Sequence, residues 1–242
     1  RGLFIGLAAA VSTFLSAPVH AGSTYDVVKV SKAPTLDGKA DDTVWQEAGL
    51  LEGGFHFPWE QVHAPRTQFR AVHDGANFYF SFVVVDPDVV VLDQPKGERE
   101  TVDEEDRVEL FFSAGPIDKP VDYEMPAYYA VEVDPAGRVH DYSMKYYRQI
   151  DSAWKLDGFK TAGARTPDGY IVEASIPLSA LRGLGLLKPD GSLRAGAFRA
   201  EFSRKDGKLD QRWISWVDPQ TPVPDFHVDS AFGLFRLIDA KN

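Results

Sequence analysis

The sequence predicts an all-β protein, a two-sheet antiparallel β-sandwich of jelly-roll-like or immunoglobulin-like type with one or two short helices. Three observations carry this prediction. Apolar and polar residues alternate with a period of two in many short runs, which is the pattern of half-buried strands. The runs are separated by turn sequences that combine proline with residues tolerant of a positive φ. Amphipathic helical patterns are few.

The alternating runs predict about nine to eleven strands. In chain order the clearest runs are residues 68–73, 77–85, 107–113, 128–134, 139–147, 170–177, 194–204, 212–216 and 233–238. The run 77–85 is apolar on both faces, so we expect it to be a central strand. Hairpin turns are predicted at residues 74–75, 134–137, 166–169 and 188–191. Short helices are expected at residues 43–48 and 177–181.

The first 21 residues have the pattern of a secretory signal peptide. Arg1 precedes an apolar run from Leu3 to Leu15, and the segment closes on small residues at Val19-His20-Ala21. The apolar run is shorter than the roughly 20 residues that a membrane-spanning helix needs. A buried N-terminal helix is the alternative. We therefore expect export to a bacterial periplasm or medium without a membrane anchor, and a single domain over residues 22–242.

Composition disfavours several classes of function. The formal net charge is −10, and no cluster of Lys and Arg is longer than two residues, which disfavours nucleic acid as a partner. The chain has no cysteine, which excludes disulfides, thiol catalysis and cysteine-ligated zinc. The histidines show neither a His-Glu-x-x-His motif nor another compact ligand spacing, so the sequence predicts no zinc site.

Aromatic residues are the first candidates for ligand binding. A pyranose presents C–H bonds on one face and hydroxyls at its edge, so a sugar site needs an aromatic platform beside acids, amides or arginine. The chain has five Trp, nine Tyr and sixteen Phe. Trp59 lies in a predicted loop. Trp213 and Trp216 are three residues apart on one predicted strand, so they should face opposite sides.

The acidic residues allow two further interpretations. The stretch 98–106 is expected to be a solvated loop, with structural calcium as the alternative because calcium takes several carboxylate oxygens. A glycoside hydrolase needs two carboxyl groups across a cleft. The candidates on predicted strands are Glu109, Glu132, Glu173 and Glu201.

Several segments, taken in order, resemble carbohydrate-binding module family 9. They are residues 33–45, 77–80 followed by Asp86-Pro87, 106–111, 169–177, 214–219, 225–227 and 232–233. The resemblance covers residues 33–238. It implies a β-sandwich that binds sugars, is often linked to xylan- or cellulose-degrading enzymes, and sometimes holds structural calcium.

The resemblance also implies site residues. In xylanase-linked members two Trp rings clamp a chain-end sugar whose hydroxyls bond to acids, an amide and an arginine. Glu109 and Asp86 match two acidic positions near that clamp, and Phe226 falls at one clamp position. The other clamp position holds Asp103, and the position of the sugar-binding arginine holds Ala130. The residues expected to substitute are Trp59, Tyr128, Arg107 and His227.

Our leading hypothesis is non-catalytic binding of a xylan- or cellulose-type oligosaccharide or polysaccharide, with a glycoside hydrolase as possible partner and no required cofactor. The second hypothesis is a haem-binding electron-transfer domain, since related sandwiches resemble cytochrome domains. Haem needs axial Met, His or Lys ligands, and the methionines are Met125 and Met144. A third is a structural or partner-binding module of a cell-surface assembly.

Overall fold

The computed structural model describes residues 23–93 and 97–240, so the predicted signal peptide lies outside the described residues. Within these ranges the chain is almost entirely strands and loops. The strands are β1 Thr24–Lys29, β2 Thr67–His73, β3 Asn77–Val85, β4 Arg107–Ser113, β5 Tyr128–Val133, β6 Val139–Lys145, β7 Gln149–Asp151, β8 Lys160–Thr166, β9 Gly169–Pro177, β10 Ser192–Lys205, β11 Lys208–Ser215 and β12 Gly233–Ile238.

Helical segments are short and lie between strands. The α-helices are α1 Glu98–Val102 and α2 Leu178–Gly183, and 3₁₀ helices span Thr43–Glu47 and Asp229–Ala231. Across the described ranges, no helix has the length and apolar character needed to cross a membrane. The helices predicted near residues 43–48 and 177–181 are present, whereas α1 was not predicted.

Eleven of the strands form one hydrogen-bonded path, β11 pairs with β10 beside it, and the whole curls into two facing sheets. The long strand β10 joins them, because its first residues pair with β12 and its later residues pair with β11. The first sheet has the order β7-β6-β5-β4-β10-β11, and the second has the order β12-β1-β2-β3-β9-β8. Strand β3 lies between β2 and β9, as expected for the apolar run 77–85. The predicted β-sandwich is therefore confirmed.

Pairing differs from the antiparallel prediction at one strand. Strand β1 pairs in parallel with both β12 and β2. Two parallel neighbours in sequence need a long crossover, and the segment from 30 to 66, which contains the first 3₁₀ helix, provides it between β1 and β2. The other pairings between named strands are antiparallel.

The main core lies between the two sheets and is rich in phenylalanine. Phe69 stacks on Phe235 with ring centroids 5.5 Å apart, and Phe78 of the second sheet meets Phe112 of the first at 6.4 Å. Along β4, Leu110 and Phe112 point into this core. Because side chains alternate along a strand, Glu109 and Phe111 point to the opposite, outer face of the first sheet. That outer face carries the candidate site.

Candidate functional site

The outer face of the first sheet has an aromatic half and an ionic half. Phe111, Tyr128, Tyr142, Met144 and Phe198 pack together as a second hydrophobic cluster. The segment 218–232 folds over this cluster. Phe226 and Phe232, which belong to that segment, are buried in it. Because of this covering segment, most side chains on the outer face are buried.

An ionic group, which we call the outer cluster, lies beside these rings. It consists of Asp103, Arg107, Glu109, Glu132 and His140. Arg107 Nε is 2.9 Å from Glu109 Oε1 and 2.9 Å from Glu132 Oε2. The structure thus brings the predicted residues Arg107 and Glu109 together, but only 6% and 2% of their surfaces are exposed. Neither offers a free polar edge to a ligand.

Burial and neighbouring charges shift the pKa values of the outer cluster in different directions. Burial and the charge of Glu132 raise the pKa of Glu109 to about 8. Burial opposes ionisation of Glu132 too, but Arg107 and His140 outweigh it and lower the pKa of that carboxyl. Although burial disfavours its charged form, Asp103 and Glu132 raise the pKa of His140 to about 9.

Phe226, placed by the resemblance at a sugar-clamping position, is a packing residue in this structure. Its ring stacks on Phe198 with centroids 4.2 Å apart, and 6% of the residue is exposed. Tyr128 is also buried, and its hydroxyl hydrogen-bonds Nδ1 of His227. Burial, with the nearby charge of Arg148, lowers the pKa of His227 to about 4, so this imidazole is neutral at pH 7.

An open pocket of about 60 Å³ lies next to Phe226 at the surface of the covering segment. Its lining residues are Trp59, Arg148, Trp213, Pro224, Asp225, Phe226 and His227. The Trp59 and Trp213 rings lie 5.7 and 5.8 Å from Phe226. Trp59 Nε1 donates to the Thr221 carbonyl at 2.9 Å, which fixes the ring. Both tryptophans are partly exposed.

Charged groups line one side of this pocket. Arg148 lies 3.8 Å from Asp225, and the Tyr147 hydroxyl donates to the same carboxylate. Arg148 also lies over the Tyr147 ring at 5.9 Å. Fixed indole rings beside a guanidinium and a carboxylate supply both an apolar platform and hydrogen-bonding groups. Among the predicted site residues, Trp59, Phe226 and His227 line the pocket.

Asp86 belongs to a different group. With Asp106, Arg199 and Glu201 it forms what we call the inner cluster, buried at one end of the sandwich. Arg199 Nη2 lies 3.2 Å from Asp86 Oδ2 and 2.6 Å from Glu201 Oε2. Asp86 therefore does not line the pocket described above.

The inner cluster does not fit a calcium ion well, although three of its carboxylates lie within 4.8 Å of one another. Both oxygens of Asp106 accept backbone N–H groups, from Val90 at 2.5 Å and from Phe202 at 2.7 Å. The guanidinium of Arg199 already supplies positive charge among the carboxylates. A calcium ion would compete with Arg199 for the same oxygens.

The strand glutamates considered as a hydrolase pair have structural partners. Glu173 accepts Trp45 Nε1 at 3.1 Å and the Gly38 N–H at 2.8 Å, which ties the first 3₁₀ helix to the second sheet. Glu201 binds Arg199, and Glu109 and Glu132 share Arg107. For haem, Met125 is 59% exposed and Met144 is packed among aromatic rings, and neither lines the pocket.

Sequence reasoning missed Arg148, Asp225 and Tyr147. Arg148 and Tyr147 lie in the turn between β6 and β7, and Asp225 lies in the covering segment. An adjacent Tyr-Tyr-Arg in a predicted strand end was the available signal. The prediction that Trp213 and Trp216 face opposite sides is confirmed, because Trp216 packs in the main core and Trp213 packs on the outer face.

A two-sheet β-sandwich with an aromatic pocket on one outer face is an architecture of the carbohydrate-binding modules. The family model described as carbohydrate family 9 binding domain-like matches residues 36–240. The chain belongs to that family, as its resemblance predicted.

Solved structures share the fold at low sequence identity. A protein of Bacteroides uniformis, proposed to bind carbohydrate, is 21% identical with a TM-score of 0.63, and the match covers 90% of this chain and 100% of the other. A family 9 module of Caldicellulosiruptor kristjanssonii in complex with glucose is 19% identical with a TM-score of 0.58, and the match covers 90% of this chain and 97% of the other. The same organism's family 9 module in complex with cellotriose is 18% identical with a TM-score of 0.58, and the match covers 91% of this chain and 96% of the other. No curated protein matches the chain.

Proposed function

We propose that this protein is a non-catalytic module that binds an oligosaccharide in the pocket between Trp59 and Trp213. The observation that carries the proposal is the pairing of these two fixed, partly exposed indole rings with Arg148 and Asp225. Family membership supports it, as do the similar modules that hold glucose and cellotriose.

The pocket's chemistry favours a short stretch of neutral sugar. An indole covers the C–H face of a pyranose, and each aromatic contact contributes about 0.5–1.5 kcal/mol. A volume of about 60 Å³ holds part of a monosaccharide, so the remaining units would lie along the surface. Few contacts of this strength give dissociation constants of roughly micromolar to millimolar size. Binding of that strength is readily reversible and suits transient attachment.

The wider context of the proposal is polysaccharide catabolism outside the cytoplasm. The signal-like pattern of residues 1–21 supports export to a periplasm or to the medium. A glycoside hydrolase is the partner class that such a module serves, since it would keep the enzyme near its polymer. To test this part, the full-length gene product is expressed and the protein is sought in the periplasm or medium. We expect to find it there with residues 1–21 cleaved off.

Calorimetric titration with glucose, cellotriose and xylotriose tests the site. We expect Trp59→Ala to weaken binding of the preferred sugar by about tenfold, because one stacking face is lost. Trp154→Ala is the matched control, since Trp154 is a partly buried tryptophan that packs against Tyr129, outside the pocket. It should leave the affinity unchanged.

Two results would contradict the proposal. One is equal affinity of Trp59→Ala and the unmodified protein. The other is a loss of binding in Glu109→Gln with Trp59→Ala unaffected, which would move the site to the position implied by the family resemblance. An absorbance scan of the purified protein separates the haem alternative, because a Soret band would replace the sugar proposal with electron transfer.

A further inference from the structure

Three donor atoms of the outer cluster converge from three separate segments. Asp103 follows the C-terminus of α1, Glu132 lies on β5 and His140 is its direct cross-strand partner on β6. One ligand atom from each lies within 4.8 Å of the other two. His140 Nδ1 is 3.3 Å from Asp103 Oδ1 and 3.9 Å from Glu132 Oε2. Donors around a tetrahedral zinc ion lie roughly 3.3 Å apart, given bonds of about 2.0–2.1 Å.

The donor atoms at the centre of this group have ion-pair contacts but no well-aligned hydrogen bond among the described residues. His140 Nδ1 and Glu132 Oε2 are buried, and their contacts to Asp103 and Arg107 do not have hydrogen-bond geometry. His140 and Glu132 are 1% and 4% exposed. Buried polar atoms of this kind are costly unless something else satisfies them. The two atoms are 3.9 Å apart, and a carboxylate oxygen of Asp103 lies within 4.8 Å of both side chains' donor atoms.

Surrounding groups hold the three side chains in place. His140 Nε2 lies 3.0 Å from Ser152 Oγ, and a proton on Nε2 leaves the Nδ1 lone pair free. The Tyr142 hydroxyl donates to Glu132 Oε1 at 2.9 Å, and Arg99 Nε donates to Asp103 Oδ2 at 3.2 Å. Metal-binding histidines and carboxylates commonly have such outer partners.

A divalent cation in the outer cluster would take the place of a proton. Asp103 and Glu132 are the two acids beside His140, and a metal ion binds the neutral imidazole, so binding would release the proton that these acids hold on the ring. Arg107 lies close to Glu132 Oε2, but a carboxylate oxygen has two lone pairs and can serve a guanidinium and a metal together.

We propose that Asp103, Glu132 and His140 bind a divalent transition-metal ion, with Zn²⁺ as the best match. One imidazole nitrogen and two carboxylate oxygens are the donor set of such ions, whereas Ca²⁺ takes six to eight oxygens. The Asp103 side chain is 39% exposed, so this edge gives access and leaves a coordination position for water. A search for closely spaced histidines in the sequence does not find this site, because its one histidine, His140, is joined by acids from two other segments. The proposal does not depend on sugar binding.

The site is tested by titrating chelator-treated full-length protein with Zn²⁺ in a calorimeter and, separately, with Co²⁺ in a visible-range spectrometer. We expect one tight equivalent of Zn²⁺ and Co²⁺ absorption bands in the visible range. His140→Gln should weaken Zn²⁺ binding by on the order of 100-fold, and Asp103→Asn by about tenfold. Asp103 is the accessible ligand, so its substitution tests the site without opening the core.

His73→Gln is the matched control. His73 is 7% exposed, its Nε2 contacts the Ile238 carbonyl and its Nδ1 lacks a partner, yet it is not part of any three-donor group found among the described residues. It should bind Zn²⁺ as the unmodified protein does. Absence of a tight equivalent, retention of it in His140→Gln, or equal affinity for Ca²⁺ would each overturn the proposal.

Discussion

The inner and outer clusters are built from the same parts but are satisfied to different degrees. Each places a buried arginine from a strand of the first sheet among buried carboxylates. In the inner cluster no carboxylate oxygen of Asp86, Asp106 or Glu201 is both buried and unpartnered. In the outer cluster Glu109 Oε1 and Glu132 Oε2 are ion-paired with Arg107 Nε, but neither these oxygens nor His140 Nδ1 has a well-aligned hydrogen bond within the described ranges.

This difference separates a structural function from a binding function. Backbone N–H groups from β10 and from the segment after β3 satisfy Asp106, so the inner cluster connects chain segments, and Arg199 Nε is its one buried polar atom without a hydrogen-bond partner in the part of the chain that the structure describes. The outer cluster reaches the surface at Asp103, and its central donors lack well-aligned hydrogen bonds within the described chain. We infer that an internal cation closes one cluster and that a ligand completes the other.

Removal of the inner guanidinium should have the largest effect. Arg199→Met leaves buried carboxylates without their cation, and loss of one partner of a buried ion pair costs about 3–5 kcal/mol of unfolding free energy. Denaturant unfolding measures the loss. Arg204→Met, at an exposed position on the same strand, is the control and should change the unfolding free energy by less than about 0.5 kcal/mol. A loss below about 1 kcal/mol for Arg199→Met would refute the structural role.

The inner cluster should also make stability fall as pH rises. Burial raises the pKa of Glu201 to about 7 and that of Asp106 to about 8, above their values in the unfolded chain. At these two groups the folded state therefore binds more protons than the unfolded state between about pH 4.5 and 8. Ionising each group costs up to roughly 1.4 kcal/mol per pH unit over its window.

Glu201→Gln isolates one of these groups. Gln keeps an oxygen for Arg199 but does not titrate, so the unfolding free energy of the variant should gain on the unmodified protein as pH rises from about 4.5 to 7. Denaturant unfolding across this range gives the difference between the two curves. His227, whose pKa burial lowers to about 4, contributes the opposite slope in both proteins and cancels in the difference. Parallel curves would contradict the raised pKa of Glu201.

Local pattern predicted most of the strands but missed β1, β7 and β8. Strands β3, β4 and β12 begin and end where alternation placed them. Strand β8 was missed because it is an edge strand with little apolar alternation, and Gly163 leaves space for the close backbone of Gly137. The short, charged sequence of α1 has no apolar pattern that indicates a helix, and no local pattern indicates that β1 pairs in parallel with its neighbours.

The candidate site was less predictable for a physical reason. Arg107 and Glu109 are two residues apart on β4 and therefore share its outer face, but their accessibility depends on how the segment 218–232 folds over that face. Phe226 became a packing residue through a contact with Phe198 that is remote in sequence. The metal-binding donors come from three segments, so no spacing in the sequence relates them.

The smallest predicted effect compares one hydroxyl in each cluster. Tyr142 donates to Glu132 Oε1 at 2.9 Å in the outer cluster, whereas the buried hydroxyl of Tyr170, near Arg199, has no hydrogen-bond partner among the described residues. Tyr142→Phe should therefore lower the unfolding free energy by about 1–2 kcal/mol, since a buried carboxylate oxygen loses its donor. Tyr170→Phe should leave it unchanged or raise it slightly, because an unpaired buried hydroxyl is removed. Thermal and denaturant unfolding of the pair measure both changes, and equal losses would show that the hydrogen bond of Tyr142 does not set its contribution to stability.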